Sequence, residues 1–457
     1  MTHVFRSIDP SNNTLVSVRE EHGPLDVEHA LSQAAAAQTD WARTRLAARC
    51  AALNRLAAAL RARADECART MTSEMGKVAA EARAEVEKSA WVCEFYAEHA
   101  PAFLAPEAAD AGAAHGSWVR FDPLGVVLAV MPWNFPLWQV LRFAAPALAA
   151  GNALILKHAP GVQGCAEDVL TAVRDAGLPA GLVQNLRLDL PAIPAVVADP
   201  RIAAVTLTGS SRAGAAVAAI AGQHLKKCVL ELGGSDPFIV LPDADLAAAV
   251  AAGVRSRTLN AGQSCIAAKR FVVHRDVAEP FAERFTAAMA ALTVGDPSDP
   301  GTDLGPLARG DLRDALHGQV VASTALGARV RCGGELPEGR GFYYPPTVLD
   351  RVAPGMPVVD EETFGPVAAL LAADSVDDAV AIANDTPYGL GASLWTQDRA
   401  LARALAPRID AGAVYVNSMT FSDPRLPFGG VKASGYGREL GRFGLREFVN
   451  VKTVRVD

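Results

Sequence analysis

Apolar residues recur at intervals of three or four positions from residue 25 to about residue 103, as at Leu53, Leu56 and Leu60. The segment is rich in alanine, arginine and glutamate, and no proline interrupts it between Leu25 and Pro101. Such an interval places the apolar side chains on one face of a helix. This part of the chain is therefore predicted to be helical.

Beyond residue 116 the pattern changes, because short apolar runs typical of strands alternate with helical stretches. The predicted strands are residues 116–122, 126–130, 153–156, 203–207, 238–240, 271–274, 367–371, 413–417 and 448–456. The helical stretches include residues 139–149, 164–176 and 214–221. Strands that alternate with helices predict parallel sheets with helices on both faces. The two glycines of Glu231-Leu232-Gly233-Gly234 interrupt the series, which predicts two α/β domains with a cleft between them.

Composition narrows the class of protein. The chain has 457 residues, of which 50% are hydrophobic and 20% charged, so large buried cores can form in two or three domains. The formal net charge is -7 and no basic run is present, which argues against a nucleic-acid partner. The longest apolar run, around residues 124–131, is far shorter than the ~20 residues that a membrane span needs. The N-terminus also lacks the apolar region of a secretory signal.

Cysteine usage indicates the compartment. The seven cysteines are scattered along the chain, and none forms a CxxC pair. An odd number with this spacing predicts neither a disulfide framework nor a zinc site. We therefore expect a protein of the cytoplasm that holds no metal.

Three residues are candidates for chemistry, and each has a plainer structural alternative. Cys265, in a Gly-Gln-Ser-Cys context, could be a thiolate nucleophile or a small core residue. Glu231 ends an apolar strand, where partial burial would raise its pKa toward the range of a general base; a salt bridge to Lys226 or Lys227 is the alternative. Asn134 stands in a turn fixed by two prolines, where its amide could donate to an oxyanion or satisfy only its own turn.

A glycine-containing loop follows the predicted strand 203–207. Its sequence is Thr208-Gly209-Ser210-Ser211-Arg212-Ala213-Gly214, and a predicted helix comes next. The glycines permit a phosphate to approach the helix N-terminus. The loop lacks the GxGxxG dinucleotide fingerprint, so by itself it is more simply a strand–turn–helix connection.

Six segments together resemble the aldehyde dehydrogenase superfamily in order and spacing. They are Pro132-Trp133-Asn134-Phe135-Pro136, Thr208-Gly209-Ser210, Glu231-Leu232-Gly233-Gly234, Gly262-Gln263-Ser264-Cys265, Glu361-Glu362-Thr363-Phe364-Gly365-Pro366, and Pro427-Phe428-Gly429-Gly430-Val431-Lys432 continuing to Ser434-Gly435. The resemblance covers nearly the whole chain and favours a functional Cys265. It implies an aldehyde dehydrogenase-like fold, with two doubly wound α/β domains and a small β oligomerisation arm.

The resemblance also implies a mechanism. The Cys265 thiolate would attack the aldehyde carbon, and the Asn134 amide and the Cys265 backbone N–H would stabilise the oxyanion. Hydride transfer to a nicotinamide would leave a thioester, and Glu231 would activate the water that hydrolyses it. Two alternatives are a relative that passes the acyl group to coenzyme A and a non-catalytic structural or binding member. The first usually lacks a base at the Glu231 position, and the second is disfavoured because all three residues are present.

Cofactor residues carry over by position and imply NAD or NADP. The predicted contacts are Trp133, Lys157, Gly209, Ser210, Leu232, Glu362 and Phe364. Lys157 would hold the adenosine ribose, Gly209 and Ser210 the pyrophosphate, and Glu362 the nicotinamide ribose, with Phe364 beside it.

The segment after Lys157 departs from many NAD-preferring relatives. They carry a glutamate three positions after this lysine, whereas Pro160 stands here. A proline does not repel a 2′-phosphate, so charge does not exclude NADP. His158 could contact a phosphate or cap the turn.

Within the superfamily, four segments resemble bacterial succinate-semialdehyde dehydrogenases. They are Trp138-Gln139-Val140-Leu141-Arg142-Phe143-Ala144-Ala145-Pro146, Lys157-His158-Ala159-Pro160, Cys228-Val229-Leu230-Glu231-Leu232-Gly233-Gly234-Ser235-Asp236-Pro237 and Ala267-Ala268-Lys269-Arg270-Phe271. This substrate carries a carboxylate, so its pocket needs a cation. Arg142 could bind it as a bidentate fork or extend to a surface or interface. Ser422 would be a second carboxylate contact, and a neutral or longer semialdehyde is the alternative substrate.

The resemblance also implies a division into domains. The cofactor-binding domain would take residues 1–103 and 124–232, and the catalytic domain residues 233–428. Residues 104–123 and 429–457 would form the oligomerisation arm and C-terminal segment, in which residues near 104–123 pair with a C-terminal strand near 447–457. A small sheet with unpaired edges needs a partner subunit, so we expect a homodimer or homotetramer.

Overall fold

The computed structural model describes residues 4–457. The strands are β1 (Val4–Asp9), β2 (Thr14–Glu20), β3 (Glu107–Ala108), β4 (Ser117–Pro123), β5 (Val126–Met131), β6 (Ala153–His158), β7 (Val183–Asn185), β8 (Ile202–Thr208), β9 (Lys227–Glu231), β10 (Asp236–Val240), β11 (Ala268–His274), β12 (Arg329–Cys332), β13 (Thr347–Asp350), β14 (Val367–Ala373), β15 (Gly391–Trp395), β16 (Ala413–Val416), β17 (Gly435–Tyr436) and β18 (Val449–Arg455). Every predicted strand coincides with one of these.

Helices cover most of the remaining regular structure. The α-helices are α1 (Pro24–Arg43), α2 (Leu46–Ala62), α3 (Ala64–Met75), α4 (Ala79–Phe103), α5 (Trp138–Ala150), α6 (Gln163–Asp175), α7 (Ile193–Ala198), α8 (Ser211–Gln223), α9 (Leu246–Thr258), α10 (Arg275–Ala290), α11 (Gly310–Ala325), α12 (Pro357–Asp360), α13 (Val376–Asn384), α14 (Arg399–Leu405) and α15 (Gly441–Glu447). Short 3-10 helices span Pro160–Val162, Leu190–Ala192, Leu259–Gly262, Ala406–Arg408 and Lys432–Ser434.

The predicted helical segment is confirmed as four helices, α1–α4. Leu53, Leu56 and Leu60 lie in the core of α2, and none of them is more than 1% exposed. Helix α3 ends at Gly76, whose φ of +76° is left-handed. A Cβ there would also lie 2.8 Å from Pro306 Cγ, so both conformation and space require glycine.

A six-stranded sheet carries the first half of the predicted strand series. Its order is β17-β9-β8-β5-β6-β7, and all neighbours are parallel except β17, which runs antiparallel to β9. Strands β5 and β6 are buried along almost their whole length, as expected for a sheet covered on both faces.

A seven-stranded sheet carries the second half, in the order β12-β13-β14-β11-β10-β15-β16. Only β12 is antiparallel to its neighbour. The pattern did not predict β15, whose sequence Gly-Ala-Ser-Leu-Trp is dominated at its start by small residues. This strand is fully buried and is paired on both sides, with β10 and with β16. Its conformation is therefore stabilised by these neighbours rather than by its own apolar content.

Two small antiparallel sheets complete the fold. Strand β4 pairs with β3 and with β18, with Asp122 opposite Asn450, so the predicted pairing with the C-terminal strand is confirmed. The β1–β2 hairpin was not predicted, because only Phe5 and Ser7 of β1 point inward and are fully buried. The domain boundaries remain predictions. Within residues 4–457, none of the helices combines the length and the apolar character needed to cross a bilayer.

Candidate active site

Cys265 lies in a tightly held loop between α9 and β11. Asn260 and Ala261 adopt left-handed backbone angles, with φ of 56° and 52°. The buried Arg257 guanidinium donates to the carbonyl of Gly262 at 2.6 Å. Left-handed residues other than glycine are costly and persist only where their surroundings hold them. The loop therefore presents Cys265 in one conformation.

A buried lysine fixes the other side of this loop. Lys269, which is 0% exposed, donates from Nζ to the carbonyls of Ser264 at 3.0 Å and Cys265 at 2.8 Å. Its ammonium also lies 3.6 Å from a carboxylate oxygen of Glu362. Lys269 thereby joins the Cys265 loop to the Glu361-Glu362-Thr363-Phe364 segment.

The Cys265 thiol differs from most of the other cysteines. Five of the seven are buried, whereas Cys265 is half-buried and lines a cavity of about 370 Å³. Burial raises the pKa of the Cys265 thiol to about 12, although the positive charges of Lys269 and Arg142 oppose the rise. In the cofactor-free protein the group is therefore a thiol at neutral pH, and it needs a base to become the nucleophile.

Asn134 follows β5 and reaches the same loop. Its Nδ2 donates to the backbone carbonyl of Gln263 at 3.0 Å, and the backbone carbonyl of Asn134 accepts from Asn260 Nδ2 at 2.7 Å and from Lys77 Nζ at 3.0 Å. The amide is thus not merely satisfying its own turn. Asn134 is buried and is not among the residues that line the cavity. The second hydrogen of its Nδ2 has no acceptor within residues 4–457.

Glu231 ends β9 without any salt bridge to its lysine neighbours. Lys226 donates to the backbone of Asp199, and Lys227 pairs with Glu447 at 2.7 Å, so the alternative interpretation of Glu231 is wrong. The Glu231 side chain is buried, and neither of its carboxylate oxygens has a hydrogen-bond partner within residues 4–457. A Cβ on Gly429 would lie 2.7 Å from Glu231 Oε1, so this glycine makes room for the carboxylate.

The surroundings of Glu231 increase the affinity of its carboxylate for a proton. Burial, and then the negative charge of Glu439, raise the pKa of Glu231 well above its usual range, against the positive charges of Arg142 and Arg438. The chain just beyond β9 also meets the nucleophile loop, since a Cβ on Gly234 would lie 2.6 Å from the Cys265 carbonyl oxygen. The structure thus brings the ends of these two segments together.

Arg142 is on α5, in the wall of the cavity, but it already has a partner. Its guanidinium forms a buried ion pair with Glu439, and neither side chain is more than 3% exposed. Its Cζ also lies 4.7 Å from the centre of the Phe428 ring. The arginine does not extend to the surface, so that alternative is wrong. Its role toward a substrate carboxylate remains a prediction.

The predicted pyrophosphate residues lie at the carboxyl ends of β8 and β9. Ser210 caps α8, accepting from the N–H of Ala213 at 3.3 Å, and the N–H of Gly209 donates to the carbonyl of Glu231 at 3.0 Å. A Cβ on Gly214 would lie 2.5 Å from Leu232 Cδ2, so Leu232 packs against the first turn of α8. Dinucleotides bind at such strand ends and helix N-termini, and this geometry fits one.

The remaining cofactor residues lie near the same sheet edge and the nucleophile loop. Trp133 and Phe364 make an edge-to-face contact at 5.8 Å, and Glu362 accepts from the N–H of Gly234 at 3.0 Å. Lys157, near the end of β6, has no hydrogen-bond or ion-pair partner in the part of the chain that the structure describes, and burial lowers the pKa of its ammonium. An ammonium left free in this position fits a hydroxyl-bearing ligand such as a ribose.

His158 caps the turn and is not available to a phosphate. It is 1% exposed, it accepts from the N–H of Ala159 at 2.9 Å, and its Nε2 lies 2.9 Å from the carbonyl oxygen of Pro136. Burial lowers the pKa of His158 to about 4, so the ring is neutral at pH 7. A neutral ring with both nitrogens engaged offers no charge to a 2′-phosphate.

Several residues that hold the site were not singled out from the sequence. Glu85 pairs with Lys77 and accepts from the N–H groups of Leu137 and Trp138 at 2.9 Å, which anchors the start of α5. Acidic and basic residues at helical spacing are common on solvated helix faces, so the sequence carried no signal that these two are buried. The segment Gly437-Arg438-Glu439 likewise gave no sign that Glu439 is buried.

Ser422 and Lys88 are hydrogen-bonded to each other in the lining of the cavity. Ser422 is 5% exposed, and its Oγ accepts from Lys88 Nζ at 2.8 Å. Both line the cavity that contains Cys265. The predicted carboxylate contact Ser422 is therefore paired with a cation that the sequence pattern did not reveal.

Comparison with known proteins agrees with this geometry. The model of the aldehyde dehydrogenase family matches residues 2–454. The chain is 51% identical to the NAD(P)+ succinate semialdehyde dehydrogenase of Escherichia coli strain K12 over 456 residues, covering 100% of this chain and 98% of that one. It is 50% identical to the NADP(+) succinate-semialdehyde dehydrogenase 1 of Mycobacterium tuberculosis strain H37Rv over 450 residues, covering 98% of each.

A solved structure shows the same fold. The succinic semialdehyde dehydrogenase of Streptococcus pyogenes, in complex with NADP+, superposes with a TM-score of 0.97 at 36% identity and covers 99% of each chain. These matches extend over nearly the whole chain. The chain therefore belongs to the aldehyde dehydrogenase family.

Proposed function

We propose that this enzyme oxidises succinate semialdehyde to succinate with NAD or NADP. The observation that carries the proposal is the cavity beside Cys265, whose wall includes the cationic residues Lys88, Arg142 and Arg255. Arg142 is paired with Glu439, but neither Lys88 nor Arg255 forms an ion pair within residues 4–457, so positive charge remains in this wall for an aldehyde that bears a carboxylate. The names of the relatives from Escherichia coli and Mycobacterium tuberculosis support the same substrate and both cofactors.

Cys265 begins the reaction. Once the thiol has given its proton to a base, the thiolate forms a bond to the aldehyde carbon, and the carbonyl oxygen takes up the negative charge. The backbone N–H of Cys265 has no acceptor within residues 4–457, and the second Nδ2 hydrogen of Asn134 is free, so both can donate to this oxyanion. The geometry of the loop is held by Arg257 and Lys269, so little rearrangement is needed when charge develops.

The cofactor site is the set of residues at the sheet edge. Lys157, Gly209, Ser210, Glu362 and Phe364 would hold the dinucleotide. When bound, its nicotinamide supplies the hydride acceptor, and the aldehyde carbon is left as a thioester on Cys265.

Glu231 completes the turnover. Its carboxylate takes a proton from water, and the resulting hydroxide attacks the thioester carbon. The carbon–sulfur bond then breaks, which frees the acid and returns the thiolate. The raised pKa of Glu231 makes it a stronger base than an ordinary carboxylate, and neither of its oxygens is engaged by another residue within residues 4–457, so both can accept a hydrogen bond from the water. Hydrolysis rather than transfer to coenzyme A follows from a base at this position.

A rate comparison tests the proposal. Succinate semialdehyde, glutarate semialdehyde and butanal are each assayed with NAD and with NADP, with and without coenzyme A. We expect the largest kcat/KM for succinate semialdehyde, and we expect that the rate does not depend on coenzyme A. A preference for butanal would contradict the substrate assignment. A Cys265→Ala variant that kept its activity would contradict the mechanism.

Assembly through the β3–β4–β18 sheet is part of the proposal. Strand β18 is at the edge of this sheet, and Val451 on it is 60% exposed. An exposed edge with an apolar side chain is suited to pairing with a second copy. Sedimentation as a homodimer or homotetramer is expected, and a monomer at micromolar concentration would contradict it.

A further inference from the structure

Two of the four cationic side chains that line the Cys265 cavity are already neutralised by buried carboxylates. Lys77 forms a buried ion pair with Glu85, and Arg142 forms one with Glu439. A substrate carboxylate that approached either cation would have to compete with a carboxylate already in place. Arg255 is exposed, where solvent screens its charge.

Lys88 is the exception. Its Nζ donates to Ser422 Oγ at 2.8 Å and lies 4.2 Å from the centre of the Trp138 ring. No carboxylate within residues 4–457 forms an ion pair with it. The two acidic residues that influence it most, Glu85 and Asp423, are bound to Lys77 and to Arg425.

Lys88 is half-buried, and a cation that is partly removed from solvent without a counter-ion is unfavourable. Burial accordingly lowers the pKa of Lys88 to about 8, and the positive charge of Arg142 adds to the decrease. Proteins keep such groups where a ligand supplies the missing charge. Here the group opens onto the cavity that also contains the nucleophile Cys265.

We propose that Lys88, together with Ser422, binds the distal carboxylate of the semialdehyde while Cys265 attacks its aldehyde carbon. The Lys88 ammonium donates to one carboxylate oxygen, and the Ser422 hydroxyl, which now accepts from Lys88, rotates to donate to the other. The Trp138 ring covers the ammonium from the side. This assignment rests on the proposed function, since it presupposes a substrate with a carboxylate.

The test is the substrate selectivity of Lys88→Met, which keeps the length of the side chain and removes its charge. Selectivity is the ratio of kcat/KM for succinate semialdehyde to kcat/KM for butanal, because a ratio cancels general damage. It should fall roughly 10- to 100-fold, the range expected when a hydrogen bond to a charged group is lost. The loss should appear mainly in KM for succinate semialdehyde. Lys88→Arg should recover part of the ratio.

Arg255→Met is the matched control, since it removes a positive charge from the same cavity without touching Ser422. Its effect on the ratio should be small beside that of Lys88→Met. Equal losses in the two variants would overturn the proposal, because the field of the cavity and not a contact would then set selectivity. An unchanged ratio in Lys88→Met would overturn it as well.

Binding of the product provides a readout independent of turnover. Succinate titrated calorimetrically into the enzyme should bind the wild type and bind Lys88→Met at least roughly tenfold more weakly. Failure of the proposed function is distinguishable, since the wild-type enzyme itself would then show no preference for succinate semialdehyde over butanal. If the wild type prefers succinate semialdehyde but Lys88→Met binds succinate equally well, the role of Lys88 is rejected and the proposed function stands.

Discussion

Arg142 and Glu439 form an ion pair in which neither side chain is more than 3% exposed. The pair acts electrostatically on Glu231, since the charge of Glu439 raises the pKa of this carboxyl and that of Arg142 opposes the rise. It also borders the substrate cavity through Arg142. One buried pair therefore connects the cavity wall to Glu231, the proposed base.

Breaking this pair should be costly, whereas removing both partners should not. Glu439→Leu leaves the Arg142 charge buried and alone, and we expect a loss of about 3–5 kcal/mol in the free energy of unfolding. The double variant Arg142→Leu with Glu439→Leu should lose much less. Urea denaturation of the wild type and the three variants measures these differences. If both single variants cost no more than the double variant, the two residues are not coupled.

The same double variant separates two roles for Arg142. Arg142→Leu alone leaves Glu439 unpaired next to the site, so it should reduce activity toward succinate semialdehyde and butanal alike. If Arg142 binds the carboxylate directly, as the sequence predicted, the charge-balanced double variant would still lose selectivity for succinate semialdehyde. If Lys88 makes the contact, the double variant should largely keep that selectivity.

The fold was predictable to the extent that buried strands have apolar sequences. Runs such as Val126–Met131 are buried on both faces, and their continuous apolar sequence predicts a strand. The conformation of β15 depends instead on its neighbours. In the site, Cys265 and Glu231 stood out because of their sequence context. The partner of Arg142 did not, since Glu439 meets it only through the packing of the C-terminal segment against α5. Lys88 is one lysine on a long helix, and only the cavity distinguishes it from a solvated residue.

Alkylation of Cys265 should depend steeply on pH. Because burial raises the pKa of the thiol to about 12, the thiolate is a small fraction at neutral pH and increases as protons are removed. The rate with iodoacetamide, in enzyme without cofactor, should rise about tenfold per pH unit from about pH 7 to about pH 9. Cys265→Ala supplies the background from the half-buried Cys332. A plateau that begins near neutral pH would show that the thiolate is already formed.

Asn134→Ala tests the oxyanion donor. Removal of one donor from such a site typically lowers kcat by about 100- to 1,000-fold, and we expect a loss in this range. The variant also loses the hydrogen bond to Gln263, which could disturb the nucleophile loop. The rate of Cys265 alkylation checks this point, since it should remain close to that of the wild type if the loop is intact. A comparable fall in alkylation would assign Asn134 a structural role.

The proposed mechanism requires that a thioester forms on Cys265 and that Glu231 promotes its hydrolysis. Glu231→Gln keeps the shape of the side chain but removes the base, so acylation should outpace hydrolysis and the thioester should accumulate. The direct measurement is mass spectrometry of this variant, quenched in acid after mixing with succinate semialdehyde and NADP. We expect one succinyl group on the peptide that contains Cys265, together with a burst of reduced cofactor and slow steady turnover. Steady turnover at the wild-type rate with no adduct on Cys265 would contradict it.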